Sequence, residues 1–110
     1  MEIKECADRC HQIAEDHGFW DNGGPSLPEM LVMAHAELSE AITEYQHNRG
    51  ICETYYSKDG KPEGIPTELA DCIIRIFDYC NANGIDIEWA IHEKLEFNKT
   101  RPYRHGGKRL

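Results

Sequence analysis

The sequence predicts an all-α chain, a four-helix, bundle-like domain with one break in the middle. Three observations predict it. Apolar residues recur every three or four positions through four segments, and helix start and stop signals flank them. No run outside residues 49–64 has convincing strand character. A chain of 110 residues is the length of one ordinary domain, 1–110, with room for a single core.

The elements follow in order. From Ile3 to about His17, the positions Ile3, Cys6/Ala7, Cys10 and Ile13/Ala14 form a helical stripe, and Gly18 offers a stop. Phe19 to Pro25 is a turn-rich loop holding two large aromatics. Ser26-x-x-Glu29 has the form of a capping box, and Pro28 is tolerated because first-turn N–H groups have no intrahelical partner. The second helix is expected to run to about Asn48, burying Leu31, Leu38, Ile42 and Tyr45 with help from Ala34 and Ala41. Residues 49–64 hold Gly50, Asp59-Gly60, Pro62 and Gly64 beside the β-prone Thr54-Tyr55-Tyr56, so a loop or small hairpin is expected. Ile65-Pro66-Thr67 opens a third helix expected to turn Leu69, Ile73, Ile76 and Cys80 inward, with Asn83-Gly84 ending it. Asp86 can cap a fourth helix with Ile87, Trp89/Ala90, Ile91, Leu95 and Phe97 apolar, finishing before Pro102.

Charge narrows the function classes. The chain carries 12 Lys+Arg against 20 Asp+Glu, a formal charge of −8. Residues 94–110 hold six cations and one acid, so the body before them is strongly acidic. Such a body repels nucleic acid phosphates, whereas a basic tail on it suits a small polyanion. No apolar run reaches the roughly 18 residues of a membrane span, and Met1 to Cys6 lacks a signal-peptide core. The expectation is a cytoplasmic protein with neither nucleic acid nor membrane as a partner. The five cysteines form no Cys-x-x-Cys pair, and Cys6-x-x-x-Cys10-His11 lacks the fourth ligand and spacing of a closed zinc site. Reduced thiols are expected. Many apolar residues lie on more than one face of short helices, which predicts a homo-oligomer, a dimer or tetramer.

The chemistry-bearing residues are acids. Glu37, Glu40 and Glu44 fall at i, i+3 and i+7, one stripe of a helix; Glu68, Asp71 and Asp78 fall at i, i+3 and i+10, with Arg75 on the same side. Two such faces are either solvated or neutralised. Brought together, Glu37, Glu40, Glu68 and Asp71 offer the hard oxygen ligands that Mg²⁺ or Mn²⁺ prefers.

Glu37-Leu38-Ser39-Glu40 followed by Glu68-Leu69-Ala70-Asp71 resembles the motif of the MazG-like superfamily, the all-α nucleoside triphosphate pyrophosphohydrolases. That motif is Glu-Glu-x-x-Glu, a variable gap, then Glu-x-x-Asp. The stretches Gly64 to Arg75 and Asn98 to Lys108 look like a compact phage and bacterial branch of the family, and the likeness spans roughly residues 10–108. One departure is Ala36, where the family has the first Glu of its doublet, leaving four acids. The resemblance implies a MazG-type domain in which Glu37, Glu40, Glu68 and Asp71 hold Mg²⁺, Mn²⁺ being an alternative. It implies cleavage of a nucleoside triphosphate between the α and β phosphates, giving a monophosphate and pyrophosphate. It also implies that Lys94, Asn98, Arg101 and Arg104 meet the substrate, the cations at phosphates and Asn98 at sugar or base. Trp20 sits at a loop position resembling an aromatic of this branch, and reads equally as a base-stacking residue or a core anchor.

Two other classes compete. A ferritin-like di-iron protein needs Glu-x-x-His twice, and only Glu44-x-x-His47 supplies it. The other is a non-enzymatic helical interaction or regulatory module with solvated acidic faces. His35 reads as a surface or interface residue, and Tyr55 and Tyr56 as a lid or as solvent-facing hairpin residues.

Overall fold

The computed structural model describes residues 1–102. It contains four helices packed together: α1 (Ile3–Asp16), α2 (Leu27–Gln46), α3 (Ile65–Ala82) and α4 (Ile87–Lys99). A single 3₁₀ turn, Asp21–Gly23, interrupts the loop after α1. Residues 49–64 contain the hairpin alternative, β1 (Tyr55–Tyr56) paired antiparallel with β2 (Pro62–Glu63), with Tyr55 opposite Glu63.

Local chemistry sets the helix ends. The Ser26 side chain accepts from the Glu29 N–H at 3.3 Å while Glu29 Oε1 accepts from the Ser26 N–H at 2.8 Å, a complete capping box. Asp86 Oδ1 accepts from the Trp89 N–H at 2.9 Å and starts α4. Gly64 precedes α3 at φ 123°, in close quarters: a Cβ there would lie 2.4 Å from the Glu53 carbonyl oxygen.

α3 is the central element, with α1 and α2 packed on it and α4 touching α1 and α3. The core is small. Met30, Ala34 and Cys72 form it, with Ile76 and Tyr79 packed against them. All five cysteines are free thiols, Cys10, Cys72 and Cys80 being buried.

The structure corrects the expected buried faces. Leu31, Leu38, Ile42 and Tyr45 are exposed, Leu38 at 44 % and Ile42 at 59 %. α2 instead buries Met30, Ala34 and Glu37, with Ala41 and Glu44 half-buried, the neighbouring stripe at i, i+4, i+7, i+11 and i+14. On α3, Ile76 and Cys80 do turn inward, but Leu69 and Ile73 stand in solvent. Trp89, Leu95 and Phe97 of α4 are exposed as well. Small Ala34 is buried with Met30 against Cys72 of α3, so the stripe carrying the alanine and the glutamates is the contact face. No helix among the described residues is long and apolar enough to cross a membrane.

Candidate metal centre

Because the inward stripe of α2 is the one bearing glutamates, Glu37 and Glu40 meet Glu68 from the first turn of α3. One carboxylate oxygen from each of the three lies within 4.8 Å of the others. Among the described residues this is the sole cluster of potential metal ligands of that kind. Ligands on opposite sides of a single Mg²⁺ stand about 4.2 Å apart, so the three oxygens are near the spacing one ion demands.

The cluster is electrostatically unfinished. Burial, hydrogen bonding with Glu40 and Glu37, and the charges of Glu40 and Asp71 push the Glu68 carboxyl up to about 8. Glu68 Oε2 is buried and has no hydrogen-bond partner among the described residues, a costly state for a carboxyl oxygen. Glu37 goes the other way. Burial opposes its ionisation, but the hydrogen bond donated by Arg75, hydrogen bonding with Glu68 and Glu40, and the Arg75 charge hold it below the ordinary carboxylate range. Arg75 Nε donates to Glu37 Oε1 at 2.9 Å. A proton on Glu68 and a guanidinium beside Glu37 are what a crowded carboxylate set adopts without a cation, and a divalent cation would serve the same charges.

Asp71 lies outside the 4.8 Å group. Its carboxyl is nevertheless raised, first by burial and then by the charges of Glu37 and Glu40, while Arg75 and Lys61 act in the opposite sense. It stands beside the cluster rather than in it. Lys61, from the turn between β1 and β2, is a cation at this site that sequence reasoning missed. Its only signal is position, four residues before α3 begins, and nothing in the spacing of charges marks it.

The hairpin is clamped to α2. The Tyr55 hydroxyl donates to the Glu44 carboxylate at 2.7 Å, and the Arg49 guanidinium lies 3.7 Å from the Tyr55 ring centroid. Glu44, the third acid of its stripe, is thereby engaged by tyrosine. Tyr56 is exposed.

The predicted substrate residues are less gathered. Every residue from His92 to Thr100 is exposed, Lys94 and Asn98 included, and Lys94 Nζ lies 5.0 Å from the Phe97 ring centroid. Among the described residues, no hydrogen bond or ion pair joins the Lys94, Asn98 or Arg101 side chain to the acids of α2 and α3. Arg104, with His105 and Lys108, lies outside the described residues. Trp20 is half-buried and donates from Nε1 to Asp78 Oδ1 at 2.8 Å. His35 is exposed.

Comparison of the chain with protein-family models, curated proteins and solved structures gives no match.

Proposed function

We propose that this protein is a Mg²⁺-dependent nucleoside triphosphate pyrophosphohydrolase. The observation that carries the reading is the meeting of Glu37, Glu40 and Glu68 across two helices, with one buried oxygen of Glu68 left unpartnered among the described residues. The resemblance of Glu37-x-x-Glu40 and Glu68-x-x-Asp71 to the MazG-like motif supports it.

In this reading Glu37, Glu40 and Glu68 would hold Mg²⁺ or Mn²⁺, and Asp71, which stands beside them, would join the set when the ion binds. The ion, when bound, neutralises charge on the phosphates and acidifies the attacking water. The chain's own groups do the rest. Arg75 fixes the orientation of Glu37 through its Nε–H. Water adds at the α–β anhydride, one bond from phosphorus to the bridging oxygen breaks, and nucleoside monophosphate and pyrophosphate separate, the group that leaves carrying the negative charge. A carboxylate of the cluster takes the water's proton. Lys94, Arg101 and Arg104 bind phosphate oxygens, Asn98 binds sugar or base, and Trp20 contacts the base.

The protein works as a homo-oligomer in this reading. The exposed stripe Leu31, Leu38, Ile42 and Tyr45 is the natural surface to bury. The same stripe favours the rival reading, a helical interaction module without activity.

The experiment that tests the function is pyrophosphate release from a panel of nucleoside triphosphates with Mg²⁺. Release from none of them overturns it. Thermal melting separates the rival: Mg²⁺ with a non-hydrolysable nucleotide should raise Tm beyond Mg²⁺ alone for the enzyme and leave the module unchanged.

A further inference from the structure

Arg75 carries more donors than the described residues use. Its Nε bonds Glu37 Oε1 at 2.9 Å, while Nη1 meets the Met33 sulfur at 3.8 Å, a weak acceptor. Among the described residues, no oxygen accepts from Nη1 or Nη2. The arginine side chain is 34 % exposed, against 10 % for the glutamate it holds. The guanidinium is thus anchored along one edge and open along another. It follows Asp71 by one turn on the same face of α3, and Glu68 by two. A fork held this way beside a metal centre suits two oxygens of one phosphate, because little rotamer freedom remains to be lost on binding.

A second cation comes from the hairpin. The Lys61 N–H donates to Ser57 Oγ at 3.3 Å, and its carbonyl accepts from the Ser57 N–H at 3.0 Å. β2 begins at the next residue and packs on α3, while β1 is tied to α2 through Tyr55 and Glu44. The backbone at Lys61 is therefore held against both helices that carry the acids. Lys61 is exposed and forms no ion pair among the described residues. Its charge nevertheless acts on Asp71, as does that of Arg75.

Charge gives these two cations a use. Glu37, Glu40, Glu68 and Asp71, ionised around one divalent cation, keep half of their negative charge, and a polyphosphate approaching them is repelled. Arg75 and Lys61 cancel that half. We propose that Arg75 and Lys61 form a phosphate cradle at the rim of the acidic centre, Arg75 binding two oxygens of one phosphate through its Nη groups and Lys61 binding the neighbouring phosphate. This rests on the nucleotide reading above and adds two residues to the cations named there. The cradle reads the phosphate chain alone and is indifferent to base and sugar, so inorganic tripolyphosphate is its smallest sufficient ligand.

The test titrates inorganic tripolyphosphate into the full chain at saturating Mg²⁺ and reads binding by calorimetry. Lys61→Gln and Arg75→Lys should each weaken it roughly tenfold. Lys61→Gln should bind Mg²⁺ alone as the unaltered protein does, melt at the same temperature, and show a shallower salt dependence of tripolyphosphate binding. Pyrophosphate release from nucleotides, with tripolyphosphate binding unchanged in both variants, overturns the cradle and leaves the reaction standing. Weakened tripolyphosphate binding in both variants, with no nucleotide hydrolysed by the unaltered protein, overturns the reaction and supports the cradle. A loss in one variant alone overturns the pairing of the two residues. Failure of the unaltered protein to bind tripolyphosphate overturns the cradle whatever the protein hydrolyses. Should Arg75→Lys fail to fold, the Arg75 Nε–H signal of the isotope-labelled unaltered protein decides for that residue by NMR: tripolyphosphate should shift it, and an unmoved signal removes Arg75.

Discussion

Arg75 on α3 donates from Nε to Oε1 of Glu37 on α2 at 2.9 Å, and the Glu37 side chain is 10 % exposed. A buried carboxylate inside a cluster of like charges therefore has one fixed counter-charge, supplied across the main helix interface. Removing that counter-charge exposes the repulsion it masks.

Arg75→Ala should accordingly destabilise the metal-free protein by about 1–3 kcal/mol, less than a fully buried pair because the arginine is partly solvated. Saturating Mg²⁺ should restore much of the loss, since the ion takes over the neutralisation of Glu37. Urea unfolding with EDTA and with Mg²⁺ measures both. An equal loss in the two buffers would separate Arg75 from the metal centre.

Glu40→Gln and Asp71→Asn each keep shape and remove a charge. Pyrophosphate release should fall at least ~100-fold in each, the scale of a lost electrostatic contact in a reacting site. Glu40→Gln should also weaken Mg²⁺ binding by calorimetry more than Asp71→Asn, because Glu40 lies within the 4.8 Å group and Asp71 outside it. Near-normal turnover at saturating Mg²⁺ would remove that residue from the site.

The Glu68 carboxyl, pushed up from 4.5 to about 8 by burial and its acidic neighbours, predicts a pH dependence of stability. Between those two values the folded chain keeps a proton that the unfolded chain has lost. Its stabilising contribution is thus full below the unfolded value and disappears as pH rises through about 8. Denaturant unfolding in EDTA should show a decline over that window, flatter in Glu68→Gln and flatter again with Mg²⁺, which displaces the proton. Matching profiles for the unaltered protein and Glu68→Gln would contradict the assignment.

The exposed stripe on α2 makes its own prediction. Sedimentation should show a dimer or tetramer at micromolar concentration, and Ile42→Asp should dissociate it by placing a charge on the apolar face. A compact, active monomer would sink the oligomer.

Deleting residues from Thr100 onward removes Arg101, Arg104, Lys108 and Arg109 and leaves the acids of α2 and α3 intact. Mg²⁺ binding should persist. Triphosphate affinity should fall on the order of a hundredfold, since each well-placed cation–phosphate hydrogen bond is worth roughly 1.5–3 kcal/mol. Kinetics against substrate concentration on both proteins give the answer, and an unchanged KM would take the tail out of the active site.

What the sequence determined by itself is local. Ser26 and Asp86 start helices, Gly84 follows the end of α3, and Glu37, Glu40, Glu68 and Asp71 fall at helical spacings, because these features depend on residues three or four positions apart. Tertiary structure decided which stripe of α2 turns inward. Met30, Ala34, Glu37, Ala41 and Glu44 form one stripe and Leu31, Leu38, Ile42 and Tyr45 the next, and periodicity makes both legible without ranking them. Hydropathy favours the leucines; close approach to Cys72 and Ile76 on α3 favours the alanines. The same approach sets Arg75 on Glu37, brings Glu68 into the cluster and leaves Asp71 beside it, while the packing of α1 on α3 accompanies the bond from Trp20 to Asp78. Those pairings join residues dozens of positions apart, and only the packing of helices brings such groups within reach of one another.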